Sequence, residues 1–282
     1  MTRMRRLCLP LLLLLFAGPS VSAPPTRTRG DVMRQFEQGL TESGCADASR
    51  RWRMHYGQAA KDLADEDDVA LMVFAYVLDE VREAGLPSEL ALIPFVETHF
   101  QAEVRSTSGP AGLWQFTAST ARHHGIRVHA GRDGRMSVIS STRAAVKYLG
   151  HLHRMFGQRW RQTAMAYNVG EGALKTSRRK GARRLPGITR SYPVKMHAIA
   201  CLLIEQARDE SWQHAVQRPL PRLVPRILPA ETHDLRRWAR RQGLDVNQVV
   251  ALNPGWRDGS RNILAPVPGH AAAGRRGRRK AN

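Results

Sequence analysis

One carboxylate stands on an apolar background. Glu97 closes the run Leu90-Ala91-Leu92-Ile93-Pro94-Phe95-Val96-Glu97-Thr98. Ser88, just after Pro87, is read as an N-cap that starts a helix here. At helical spacing Leu90, Ile93 and Glu97 share one face, because positions i, i+3 and i+7 stack. A carboxyl held against such a face loses hydration, which favours its protonated form, as a general acid requires. The alternative is a buried Glu paired with one of the chain's many arginines.

Three further segments follow: Ser108-Gly109-Pro110-Ala111-Gly112-Leu113-Trp114-Gln115-Phe116, Ala166-Tyr167-Asn168-Val169-Gly170, and Leu185-Pro186-Gly187-Ile188-Thr189-Arg190-Ser191-Tyr192. With Glu97-Thr98, the first two resemble three signatures of the family 1 lytic transglycosylases, the soluble-lytic-transglycosylase-like branch of the lysozyme superfamily. The last resembles the fourth signature in the variant typical of the murein transglycosylase D branch. The resemblance covers about residues 76–206, with four motifs in order.

The resemblance implies cleavage of the β-1,4 bond between N-acetylmuramic acid and N-acetylglucosamine in peptidoglycan. Most glycosidases use two carboxylates. This family is expected to manage with one, assisted by the substrate's N-acetyl group. The muramoyl C6 hydroxyl then closes onto C1 to give a 1,6-anhydro end. Glu97 would serve first as acid and then as base. Gln115 offers amide donors and acceptors to the sugar, and Gly109 and Gly112 permit close backbone approach. Trp114 is read as core or as a sugar platform. Tyr167 and Asn168 end a helix before Gly170 and would contact substrate, the alternative being a helix cap and a packed Tyr. Thr98 stands where the family usually has Ser, so it either keeps a hydroxyl for Glu97 or the sugar or simply ends a helix. The resemblance alone assigns Tyr192 a place beside Glu97, since its spacing reads only as a boundary aromatic. Glu103 falls in a loop where the family requires no acid, and Glu171 has a sufficient structural reason at a helix N-terminus. Relatives commonly show Asp-Pro where Ser137-Val138 stands here, and Ser can also cap a helix. The eleven histidines show no zinc-ligand arrangement and no nucleotide-binding glycine fingerprint occurs, so no cofactor and no metal are expected.

The elements that must position these residues read as helices. Val69 to Glu83 carries Leu71, Phe74, Val77 and Leu78 at helical spacing before Gly85. Thr117 to His124 and Ser140 to Phe156 end at Gly125 and Gly157. Arg159 to Tyr167 and Pro193 to Ala207 supply two more, the latter with Pro in its first turn. The expected class is mostly α, a lysozyme-like helical domain of the goose-type lysozyme and lytic transglycosylase kind, with a small C-terminal α/β or helical module. Prolines at 219, 221, 225 and 229 mark a boundary. The expected organisation is a signal peptide (1–23), a linker and helical extension (24–70), a catalytic domain (71–210), a degenerate LysM-like or accessory module (226–268) and a basic tail (269–282). Packing of that module as helices against the main domain is an equal reading.

The leader carries Arg3, Arg5 and Arg6, an apolar stretch from Leu7 to Phe16, and Val21-Ser22-Ala23 as a cleavage site. It is too short for a permanent membrane span, and no lipobox precedes Cys8, so a periplasmic protein without a transmembrane segment is expected. Removing the leader lowers the net charge from +20 to +17 by loss of those three arginines. Such a balance favours acidic polymers; export argues against nucleic acid and for peptidoglycan, with weak electrostatic association to anionic envelope surfaces. Cys45 and Cys201 either pair in an oxidising compartment or stay as separate buried thiols. Two rival functions remain: a goose-type-lysozyme-like muramidase hydrolysing the same bond, and a non-catalytic cell-wall-binding protein.

Overall fold

The structure is a computed structural model that describes residues 26–65, 68–177, 179, 184–257 and 261–267. The expected signal peptide and basic tail lie outside the described residues.

Strand β1 (Thr26–Thr28) leads into α1 (Arg29–Gln38), whose first turn is closed reciprocally by Thr28 and Asp31. Helices α2 (Arg50–Asp65) and α3 (Asp68–Glu83) follow, then a 3-10 turn (Ser88–Leu92) that runs into α4 (Ile93–Thr98). After α5 (Ala118–His123) comes a short hairpin of β2 (Val128–His129) and β3 (Arg132–Asp133). Helices α6 (Val138–Met155), α7 (Trp160–Val169), α8 (Glu171–Ser177), α9 (Gly187–Arg208) and α10 (Gln213–Val216) complete the main body. Then come β4 (Pro219–Pro221), β5 (Leu223–Ile227), α11 (Leu235–Arg241), α12 (Val246–Leu252) and β6 (Asn262–Pro266). The fold is mostly α, as expected, and the three sheets among the described residues are antiparallel pairs: β1 with β4, β2 with β3, and β5 with β6.

Helix α3 is buried on nearly every face from Ala70 to Val81 and forms the axis of the core. Helix α9 packs along α2 and α7, and a disulfide between Cys45 and Cys201 clips the segment before α2 to α9. Helices α1 and α2 therefore share one continuous core with the rest. Buried Glu89 holds the turn after α1, accepting hydrogen bonds from the backbone N–H groups of Thr41 (2.7 Å) and Glu42 (3.0 Å).

Two helix starts are corrected. Ser88 does not cap a helix: Pro87 stands at the cap position without a side-chain bond, Ser88 begins the 3-10 turn, and the α-helix proper starts at Ile93. Pro193 is not in a first turn, because α9 begins at Gly187 and carries Pro193 inside it. That places Tyr192 within the helix instead of at its boundary. Ser137 does cap α6, accepting from the Ser140 N–H at 3.3 Å.

At the C-terminal end, β5 and β6 pair antiparallel from Leu223↔Pro266 to Ile227↔Asn262 and enclose α11 and α12. Pro225 sits in β5, tolerable because β5 pairs on one side only. Strand β6 is buried on both faces. Ile263 and Ala265 join a small cluster with Leu235, Ala239 and Val249, while Leu264 joins Leu223 and Leu252 in the main core.

Candidate active site

Glu97 lies one residue before the end of α4, where the chain turns sharply. His99 and Phe100 both adopt positive φ (49° and 63°), an uncommon state for residues with side chains. Burial of the Phe100 ring against Phe74 and Phe95 (centroids 5.4 and 6.0 Å) holds this turn. It leaves Glu97 half-buried at the wall of a groove of about 470 Å³.

The opposite lip is the loop carrying Gly112 to Phe116. Arg135, buried, donates from Nη1 to the carbonyls of Gly109 (2.9 Å) and Phe116 (3.0 Å). Asp133 orients that guanidinium through bonds of 2.9 and 2.8 Å, and these pull the Asp133 carboxyl down to about 2. Gly112 is a requirement here: with φ 77°, a Cβ would meet the Arg135 carbonyl oxygen at 1.9 Å. Gln115 sits at φ 47° and its amide donates to the Gly112 carbonyl at 2.8 Å, so its Oε1 is the end left to face the groove. Trp114 is buried and donates to Thr142 at 3.0 Å, which resolves it as core.

Helix α7 brings Tyr167 and Asn168 to the groove. The Tyr167 hydroxyl donates to the Trp114 carbonyl at 2.7 Å, so this residue offers its ring edge instead of a free hydroxyl. Asn168 accepts from Thr189 at 2.8 Å through Oδ1, which turns its Nδ2 donors outward. Thr98 is buried and its hydroxyl is shared between the carbonyls of Pro94 (3.1 Å) and Leu113 (3.2 Å). It ties α4 to the opposite loop and does not line the groove.

Tyr192 reaches across from α9 and donates to Glu97 Oε1 at 2.5 Å. Burial pushes the Glu97 carboxyl up from its ordinary range, opposed by the Tyr192 hydrogen bond and by the Lys195 charge. Both Tyr192 and Tyr167 are raised well above the ordinary phenol value, chiefly by burial and then by the Glu97 charge, so each stays a neutral donor. Oε2 of Glu97 makes no hydrogen bond among the described residues and is the oxygen able to meet a ligand. A carboxyl in this setting is suited to give up and retake a proton. Among the described residues no second carboxylate lines the groove. Glu103 is exposed on its loop, and Glu171 lies behind the Tyr148 ring, accepting from its hydroxyl at 2.6 Å. No cluster of metal-binding side chains occurs among the described residues.

Sequence reasoning missed Tyr148 and Lys195. Tyr148 lines the groove from α6, and no motif marks it out within that helix. Lys195 lies one turn beyond Tyr192, its ammonium 4.7 Å from the Trp52 ring centroid; an i, i+3 relation to Tyr192 was the available signal.

Residues 79–185 match the family described as the transglycosylase SLT domain. This agrees with the family that the four motifs resembled. Membrane-bound lytic murein transglycosylase D of Escherichia coli (strain K12) is 27% identical over 245 residues, which cover 82% of this chain and 52% of that protein. A putative tributyltin chloride resistance protein of Alteromonas sp. (strain M-1) is 40% identical over 99 residues, 35% of this chain and 48% of that one. The chain thus spans about half the length of these two relatives. Among solved structures, an inactive variant of lytic transglycosylase Slt from Pseudomonas aeruginosa aligns over 48% of this chain and 24% of its own, with 22% identity and a TM-score of 0.38. The matched residues span Glu97, both lips of the groove and α7, while Tyr192 and Lys195 lie just past their end.

Proposed function

We propose that the groove cleaves the β-1,4 bond between N-acetylmuramic acid and N-acetylglucosamine in peptidoglycan without consuming water, within a lysozyme-like helical domain. The observation that carries this reading is the solitary Glu97 carboxyl. Burial favours its protonated form, Tyr192 steadies one oxygen, and the other is open to the groove. An inverting or retaining hydrolase would place a second carboxylate across the scissile bond, about 5–10 Å away, and none lines the groove among the described residues.

In this mechanism Glu97 Oε2–H protonates the glycosidic oxygen as the C1–O bond breaks, releasing the N-acetylglucosamine end. The muramoyl N-acetyl oxygen stabilises the positive charge at C1. Glu97, now a carboxylate, takes the proton from the C6 hydroxyl as that oxygen bonds to C1. The products are a free 4-hydroxyl and a 1,6-anhydro ring, and Glu97 regains its proton. Gln115 Oε1 and Asn168 Nδ2 hold sugar substituents on the two walls.

The names of two relatives, a murein transglycosylase and the phage T7 peptidoglycan transglycosylase gp16 (37% identical over 86 residues), support this substrate. Export to the periplasm belongs to the same proposal, supported by the leader pattern at residues 1–23 and by the Cys45–Cys201 disulfide. No helix among the described residues is long and apolar enough to cross a membrane. The β5–α11–α12–β6 unit is proposed as an accessory, degenerate LysM-like module. Mass spectrometry of digested peptidoglycan tests the reaction. Anhydro-muramoyl ends are expected; reducing ends, one water heavier, would assign a muramidase instead, and unchanged peptidoglycan a binding protein.

A further inference from the structure

We propose that the seam between the main helical body and the C-terminal unit is a second binding site, which takes the carboxylates of a peptide stem carried by the glycan in the Glu97 groove. This rests on the peptidoglycan reading above and adds to it a determinant of stem recognition.

A cavity of about 360 Å³ opens at this seam. Arg127 and Arg132, from β2–β3 and the turn before it, form one wall, and Trp256 and Arg261 the other. A contiguous cavity of about 310 Å³ shares Arg132 and adds Arg105 and Arg257. Asp133 is the one acid lining either cavity among the described residues, and it is committed to Arg135 and Arg105, each at 2.8 Å. The side chains of Arg127 and Arg132 make no ion pair or hydrogen bond among the described residues. Among the described residues Arg261 spends its Nε alone, on the Leu228 carbonyl at 3.2 Å. The seam therefore holds an excess of guanidinium groups whose planar donor pairs match carboxylates.

Its walls are fixed before any ligand arrives. Gly255 packs so closely on Met136 that a Cβ would lie 2.7 Å from the Met136 Cβ. Asn253 pins β6 to the end of α12, donating to the carbonyls of Val249 (2.8 Å) and Leu264 (2.7 Å) and accepting from the Leu264 N–H (2.7 Å). The backbone that carries the seam is thus set before binding, and the ordering cost that remains is that of the arginine side chains.

Position relative to Glu97 sets the ligand class. Thr117 and Thr120 line the catalytic groove at the start of α5, and Arg127 lines the seam beyond its end. A six-residue helix is about 9 Å long. Ser106 lines the groove and the adjacent Arg105 the seam. An extended peptide of four residues reaches at most about 14 Å, so a stem rising from a bound sugar spans this gap. In a peptide-bearing strand the muramoyl lactyl carboxyl is spent in the amide that joins the stem, so the free carboxylates within reach of the arginines are those of the stem.

The test is calorimetric titration of the full chain with a synthetic stem tetrapeptide bearing free carboxylates, and with the same peptide amidated at those carboxylates. The acidic peptide is expected to bind at least about tenfold more tightly. The triple variant Arg127→Ala, Arg132→Ala, Arg261→Ala is expected to lose that margin and to show about a tenfold smaller preference for peptide-bearing over peptide-free strands. All three positions are exposed, and the single charge reversal Arg132→Glu should act in the same direction. No binding by the wild type, equal binding of the amidated peptide, or an unchanged margin in the variants would overturn the proposal. Failure of the wild type to cleave any glycan would instead overturn the peptidoglycan reaction, which the peptide titration does not depend on.

Discussion

The phenol of Tyr192 and the carboxyl of Glu97, 95 residues apart in sequence, meet at 2.5 Å, and their hydrogen bond opposes the burial that surrounds it. Desolvation favours the neutral acid, while Tyr192 and the Lys195 ammonium favour the carboxylate. The proton-donating and proton-accepting states of Glu97 are thereby brought closer in energy, as the proposed use of this group twice in one turnover requires.

That balance sets the pH profile. The general acid must start protonated, so kcat/KM should fall as pH rises through the Glu97 pKa. Tyr192→Phe and Lys195→Met each remove a group that lowers this pKa, so the alkaline limb should move to higher pH in both. Tyr192→Phe should also lose about tenfold in kcat, since the carboxylate formed mid-reaction loses a donor. A limb moving to lower pH in either variant would contradict the assignment.

Gly112→Ala should be costly well beyond its size. Its Cβ would collide with the Arg135 carbonyl at a backbone angle that L-residues avoid. A loss of about 2–4 kcal/mol is expected, read as a lowered midpoint in denaturant. Activity should fall further, because Gln115 hangs from the same turn.

The groove lip also has its own acid sensitivity. The folded-state pKa of Asp133 is about 2 against an ordinary 3.8. The stability it contributes is therefore fully present above about pH 4 and lost as pH falls toward 2. Asp133→Asn should cost about 2 kcal/mol at pH 7, and the gap from wild type should close over that acid window. A gap independent of pH would contradict this, as measured by thermal melts across pH 2–7.

How much of this was legible in the residues depended on how local the cause was. Helices α3, α5 and α6 could be read because apolar spacing and a terminal glycine (Gly85, Gly125, Gly157) are encoded within one segment. The start of α9 could not: Pro193 suggests a first turn, yet the helix starts at Gly187, and helix-interior proline is a case that packing overrides. Glu97, Gln115 and Asn168 were singled out from their motifs, and all line one groove. The inward turn of Thr98, fixed by the Leu113 carbonyl 15 residues on, was not visible, since a hydroxyl's partner is a tertiary matter. The same holds for Arg135 beneath the lip and for the Cys45–Cys201 bond, whose separation of 156 residues carries no motif.

The most direct measurement is turnover of Glu97→Gln on purified peptidoglycan, with glycan binding measured in parallel. The amide keeps the shape and can still accept from Tyr192, but it has no proton to give. A loss of roughly 10²–10⁴ in kcat with binding retained is predicted. Turnover equal to wild type would contradict the claim that this carboxyl carries the proton.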